Sequence, residues 1–185
     1  MLEDLEAVIG PDETILYEGK PDPRCFLFEN IFNPMLPFAI VWALFDMTFL
    51  GAALSAEGPE QTSILVILIP FLLIHMMPVW IYLGGVVTSS MKHKNTSYIV
   101  TDKAVYVSGG SYAKTIDSQP YTEMTSVNLH RGFFDQRYNV GDIIITTNAR
   151  NNNGKRLNLN ISSISEYLEV YNLVKDLYQK SYDNY

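Results

Sequence analysis

Two ionisable side chains lie inside long apolar segments, and they are the first candidates for chemistry. Asp46 is the only acidic or basic residue in residues 34–54, and His75 is the only one in residues 64–87. At a helical rise of 1.5 Å per residue they lie at depths of about 12 and 16 Å from the facing ends of these segments, so they can meet. The pair has three open interpretations: a structural polar pair, a contact with another subunit, or a proton or ion path.

A second candidate is the run from residue 130 to residue 137, which combines basic and aromatic side chains: His130, Arg131, Phe133, Phe134 and Arg137. Aromatic rings beside cations can enter the headgroup region of a membrane while the cations meet phosphates or a protein partner. In the alternative interpretation, the two phenylalanines close the end of a barrel and Arg137 pairs with Asp135 or Asp142. Both interpretations remain open from the sequence.

The motifs of enzymes and metal sites are missing from the sequence. There is no glycine-rich phosphate loop, no HExxH and no CxxC, and Cys25 is the single cysteine. His93 and His130 have no nucleophile at a recognisable spacing. We therefore expect a protein that is not an enzyme, without catalytic residues, metal ligands or a cofactor.

The charge distribution separates the chain into parts. No lysine or arginine occurs between Arg24 and Lys92, whereas residues 1–33 contain eight acids and two cations. Residues 92–185 contain eleven cations and nine acids, which is too balanced for the dense basic face of a nucleic-acid-binding protein. Nucleic acid is therefore excluded as an expected partner.

The part without cations has the length of two membrane spans. A bilayer core about 30 Å thick needs roughly 20 helical residues, and residues 34–54 and 64–87 both reach that length. Lys92 and Lys94 follow the second segment as juxtamembrane basic residues, so the positive-inside rule places both termini in the cytoplasm. The prediction is an α-helical hairpin in the inner (cytoplasmic) membrane, kinked at Pro70 and Pro78.

The remainder of the chain changes to short β patterns. Six or seven antiparallel strands are expected, ending in a turn at residues 151–154 and a strand in which Leu157, Leu159 and Ile161 face inward. One of these strands is predicted at residues 112–116, and residues 11–19 can add a strand at the edge. An amphipathic C-terminal helix, capped by Ser163 and Glu166, is expected to close the barrel.

Three stretches, residues 98–103, 119–124 and 134–147, give the chain a family resemblance. They resemble the bacterial pleckstrin-homology (PH) membrane proteins, in which a two-span hairpin precedes a bacterial PH domain. The resemblance implies an all-β, PH-like barrel capped by a C-terminal α-helix, and a binding or assembly role instead of a reaction. Because Lys103 is the only cation in the first β-hairpin of this domain, phosphoinositide binding is not expected.

The predicted organisation is therefore an acidic cytoplasmic N-terminal segment (1–33), a transmembrane hairpin (34–88) and a PH-like domain (92–185). A short tether at residues 91–95 is expected to hold the domain at the membrane surface. The expected function is that of a membrane-anchored interaction or scaffolding module. The alternatives are an accessory subunit of an integral membrane complex and a lipid-binding module. The expected partners are the lipid bilayer and other integral membrane proteins.

Overall fold

The computed structural model describes residues 3–150 and 156–183, so the turn predicted at residues 151–154 lies outside the described residues. The helices are α1 (Glu3–Glu6), α2 (Pro23–Ile31), α3 (Met35–Leu54), α4 (Pro59–His75), α5 (Met77–Asn95), α6 (Phe133–Tyr138) and α7 (Tyr167–Asp183). The strands are β1 (Ile15–Gly19), β2 (Ser97–Thr101), β3 (Ala104–Gly109), β4 (Thr115–Pro120), β5 (Met124–His130), β6 (Gly141–Arg150) and β7 (Arg156–Ile164).

The chain forms two compact units. The first, called here the sheet unit, combines residues 1–29 with residues 89–185. The second, called the helical unit, comprises residues 30–88.

The sheet unit contains two antiparallel sheets, in the orders β1-β2-β3-β4 and β5-β6-β7. The expected edge strand near the N-terminus is confirmed, because β1 pairs with β2. Helix α7 buries one apolar stripe against the strands, with Val170 and Val174 almost inaccessible to solvent. The core consists of strand residues, one tyrosine between β4 and β5, and this stripe: Tyr98, Val100, Val105, Tyr121, Met124, Ile143, Ile145, Leu159, Ile161, Ile164, Val170 and Val174.

Three local predictions for this unit are wrong. The strand expected at residues 112–116 lies at β4 instead, because the turn after β3 passes through Gly110 at a φ of 120° and delays the next pairing. The Ser163–Glu166 capping box does not form, since Ser163 still belongs to β7 and α7 begins at Tyr167. Leu157 is 47% exposed and does not face the core, because the β6–β7 register is irregular toward that end.

The helical unit consists of α3 packed antiparallel on α4, followed by the first part of α5. Within the described residues, α3 is one helix long and apolar enough to cross a membrane, and only 11% of its most apolar window is buried. Residues 61–75 and 77–95 pass the same test only as a pair bent by 48°. By length and composition there is thus one candidate span, or two candidate spans if the bent pair of helices is counted as a single span.

The bend between α4 and α5 has an identifiable cause. Pro78 has no N–H to donate to the carbonyl four residues earlier, and its ring crowds that carbonyl, so the continuous helix is interrupted at Met76, between α4 and α5. The carbonyl of Leu73 accepts a hydrogen bond from Trp80 Nε1 at 3.1 Å, which satisfies an acceptor that the break leaves open. The predicted single second span (64–87) is therefore a broken helix, with its break next to Pro78.

Helix α5 also corrects the predicted tether. It runs without interruption to Asn95, and β2 begins two residues later. The segment between the apolar part of α5 and β2 is helical because residues 91–95 contain neither proline nor glycine.

Candidate functional site

The first candidate site joins α3 and α4. His75 Nδ1 lies 2.7 Å from Asp46 Oδ1, so the structure brings together the two residues singled out in the apolar segments. Asp46 is 1% exposed, whereas the His75 side chain is 29% exposed. The second oxygen of the carboxylate, Oδ2, is buried and has no hydrogen-bond partner among the described residues.

Aromatic rings surround the imidazole of this pair. The ring of His75 stacks on Trp42 and Phe71, with centroid distances of 5.0 and 5.1 Å. Trp42 Nε1 also donates a 2.8 Å hydrogen bond to the backbone carbonyl of His75. These contacts fix the imidazole orientation and hold the two helices in register.

The basic and aromatic run at residues 130–137 forms the short helix α6 and the turn before it. Arg131 points inward: its Nε donates to the carbonyl of Val140 at 2.8 Å, and its guanidinium lies 4.4 Å from the centre of the Tyr167 ring. Phe133 is 80% exposed, whereas Phe134 stacks on Phe28 at 6.3 Å. The residues singled out in this run therefore do not form one surface.

The remaining basic residues of interest are all on the surface. Arg137 is exposed, and within the described residues no ion pair links it to Asp135 or Asp142. Lys92 and Lys94 lie in the last turn of α5, and both are exposed. Cations at the C-terminal end of a helix are favourable because they complement the helix dipole.

A third site, which the sequence did not indicate, lies where α2 meets α6 and the start of β6. Cys25 Sγ donates to Asp135 Oδ1 at 3.4 Å, and Glu29, His130 and Asp142 flank the same carboxylate. The ligand atoms of Cys25, Glu29 and Asp135 lie within 4.8 Å of one another, as do those of His130, Asp135 and Asp142. We call these five residues the α2–α6 cluster.

Burial and like charge dominate the electrostatics of this cluster. Burial, followed by the charges of Asp135 and Asp142, raises the pKa of Glu29 to about 7, and His130 opposes the shift. Burial, followed by Glu29 and Asp135, raises the pKa of the Cys25 thiol to about 12. The pKa of Asp142 is also raised, mainly by burial and against the hydrogen bond from the Ser163 backbone.

Burial is the largest cause of all three shifts, and the charge of neighbouring carboxylates adds to each of them. Two arginines are adjacent in sequence to cluster residues, Arg24 to Cys25 and Arg131 to His130. Arg24 is exposed, and the guanidinium of Arg131 binds carbonyl oxygens and the Tyr167 ring. Glu29 and Asp142 are partly exposed and His130 is exposed, so the cluster is open to solvent on one side. The spacing from Cys25 to Asp135 along the chain explains why no sequence motif marks it.

The fold places the chain in a class of binding domains. Two antiparallel sheets of four and three strands, followed by a C-terminal helix, fit a PH-like fold. The family model described as bacterial PH domain matches residues 39–178, and the chain belongs to this family. Comparisons with curated proteins and with solved structures gave no match.

The family assignment has a direct functional consequence. A bacterial PH domain indicates a non-catalytic interaction or binding module. The match begins within α3 and ends within α7, so it covers α4, α5 and most of the sheet unit as well. The fold alone does not identify a ligand, so the evidence for one has to come from the sites described above.

Proposed function

We propose that the protein is a membrane-anchored PH-like interaction module whose helical unit is a two-span hairpin in the cytoplasmic membrane. The observation that carries this proposal is the outer surface of α3 and α4, where large apolar side chains face outward: Phe38, Val41, Leu44, Phe45, Val66, Ile67, Phe71, Leu73 and Ile74. Soluble monomers rarely expose contiguous apolar patches of more than a few hundred Å². Lipid tails or neighbouring spans are the surroundings that cover such a surface without a further domain.

The orientation rests on the charges that bound the helical unit. Lys92 and Lys94 follow the bent pair of helices, and Lys20 and Arg24 precede α3, while the turn between α3 and α4 has no cation. By the positive-inside rule both termini, and with them the sheet unit, face the cytoplasm. The domain boundaries proposed are an N-terminal segment to residue 33, a hairpin at 34–88 and a PH-like domain from 92.

A second candidate function is that of an accessory subunit within a larger integral membrane complex. Asp46 Oδ2, buried and without a partner among the described residues, favours it. A buried polar atom without a hydrogen bond costs about 1–3 kcal/mol, and a donor on a neighbouring span removes that cost. Lipid binding by the 130–137 run has less support, because Arg131 is engaged by Val140 and Tyr167.

Purification of the full chain in mild detergent tests this proposal. For an interaction module, companions are captured through the sheet unit, and the Asp46→Leu variant retains them. For an accessory subunit, the wild type co-purifies with other membrane-spanning chains, and Asp46→Leu loses them. The matched control is Asp117→Asn, at an exposed position on β4. Recovery of the full chain in the soluble fraction without detergent would contradict both functions.

A further inference from the structure

The α2–α6 cluster brings together the side-chain types that bind transition metals. Cys25 supplies a sulfur, His130 a ring nitrogen, and Glu29, Asp135 and Asp142 supply carboxylate oxygens. Zinc sites in proteins are built from these three ligand types, with bonds of roughly 2.0–2.3 Å. Asp135 belongs to both groups of close ligand atoms and is the residue that joins them.

Gly132 lies beside the carboxylates and the imidazole of the cluster. A Cβ at this position would lie 3.5 Å from Asp135 Oδ2, 3.8 Å from His130 Cε1 and 3.9 Å from Glu29 Oε1. Gly132 has a φ of −73°, which any residue can adopt, so the backbone conformation does not require glycine. At this position no side chain stands between the carboxylates and the imidazole.

A buried hydroxyl provides a separate observation. Ser163 is fully buried at the end of β7, and its Oγ has no hydrogen-bond partner among the described residues. It lies next to the Cys25 thiol, whose pKa it lowers, while its backbone N–H donates to Asp142 Oδ1 at 2.8 Å. The hydroxyl is therefore directed at the Cys25 thiol, and no other partner for it lies among the described residues. A hydroxyl donor beside Cys25 stabilises the thiolate form of its side chain.

We propose that Cys25, Glu29, His130, Asp135 and Asp142 form a binding site for one divalent transition-metal ion such as Zn²⁺. The ion replaces the thiol proton of Cys25, which leaves to solvent, and compensates the charge of the three carboxylates. Asp135 is held in place by the backbone N–H of Gly132, which donates to its Oδ2 at 2.7 Å. Such outer contacts orient metal ligands and raise affinity.

The proposed ion has a structural consequence that is independent of membrane anchoring. Two of its ligands lie in or beside α2, and the other three lie around α6 and the start of β6. In the sequence, 109 positions separate residues 25 and 135, so an ion bound to both closes a long loop. Binding to the folded state alone stabilises it by mass action.

The test uses the full chain in detergent with a phosphine reductant, stripped of metal by chelation and titrated with Zn²⁺ and then Co²⁺. We expect saturable Zn²⁺ binding, a rise in the unfolding midpoint, and a thiolate-to-cobalt absorption band that the Cys25→Ser variant lacks. Glu29→Gln and His130→Ala should each weaken Zn²⁺ binding by at least about tenfold, because each removes a ligand from a different group. Glu123→Gln, an exposed acid outside the cluster, should bind as the wild type does.

Two results would overturn the proposal. One is the absence of saturable Zn²⁺ binding by the wild type. The other is binding that neither Glu29→Gln nor His130→Ala weakens, because the metal then lies elsewhere. Both side chains are at least partly exposed, so these variants are expected to fold, and far-ultraviolet circular dichroism of each checks this.

Discussion

The hydrogen bond between Asp46 and His75 gives a quantitative prediction for the stability of the helical unit. Asp46 is almost completely buried, and only one of its oxygens has a partner. Replacing His75 by phenylalanine keeps the stacking on Trp42 and Phe71 and removes only the hydrogen-bonding nitrogen. The carboxylate then stays buried without a partner, and we expect a loss of about 3 kcal/mol in the free energy of unfolding.

The partner substitution and the double substitution should behave differently. Asp46→Leu leaves an imidazole that is partly exposed, so its cost should be about 1 kcal/mol. The double variant has no unpaired polar group, and we expect a loss of at most about 1 kcal/mol. The sum of the single effects then exceeds the double effect by roughly 3 kcal/mol, which is the coupling energy of the pair.

The measurement is equilibrium unfolding of the four purified full-length proteins in one mixed-micelle system. The bond from Trp42 Nε1 ends on the backbone carbonyl of His75, so all four retain it. Ile67→Phe, at an exposed position on α4, is the control for adding a ring. Additive single effects, or a His75→Phe loss no larger than that of Ile67→Phe, would refute the reasoning.

Two further predictions concern the sheet unit and are measured as unfolding free energies of the full chain. Gly110→Ala should lose about 2 kcal/mol, since φ is 120° and a Cβ would overlap the Ala113 carbonyl oxygen. Gly109→Ala, where a Cβ meets nothing within 4 Å, is the control, and an equal loss would contradict this explanation. Arg131→Ala should lose about 2 kcal/mol through its carbonyl and ring contacts, whereas exposed Arg137→Ala should change stability by less than about 0.5 kcal/mol. A larger stability loss for Arg137→Ala than for Arg131→Ala would contradict the inward orientation described for Arg131.

The sequence predicted the features that depend on periodicity and composition. Alternation identified Leu159 and Ile161 as core residues, and the three-and-four spacing identified the buried stripe of α7. The edge position of β1 also followed from a short β pattern before the first apolar segment. These signals are local, and each element carries its own.

The misplaced elements are those in which tertiary pairing overrides a weak local pattern. Strand β4 is polar, with Gln119 as its only buried residue, so its pairing with β3 fixes its position and its own alternation does not. Ser163 has the sequence context of a helix cap, but β7 continues through it at a φ of 55°. Neither outcome is visible in a short window of sequence.

The α2–α6 cluster could not be found from spacing at all. Its cysteine and glutamate precede the apolar segments, and its histidine and two aspartates follow them by more than thirty residues. Cys25 and Glu29 share α2, and His130 and Asp142 are paired across β5 and β6, but only the fold brings these two pairs together at Asp135, and no motif spans them. The Asp46–His75 pair was accessible to reasoning because a helical hairpin fixes which depths face each other.

The most direct test of the membrane-anchored account is the side of the membrane on which two engineered cysteines react. Glu57→Cys, in the turn between α3 and α4, and Tyr112→Cys, on the sheet unit, are both exposed positions. Each is made in a Cys25→Ser background and probed with an impermeant thiol reagent in intact bacterial spheroplasts. The account predicts that Glu57→Cys reacts at once and that Tyr112→Cys reacts only after permeabilisation. Reaction of Tyr112→Cys from outside, or protection of both until permeabilisation, would contradict it.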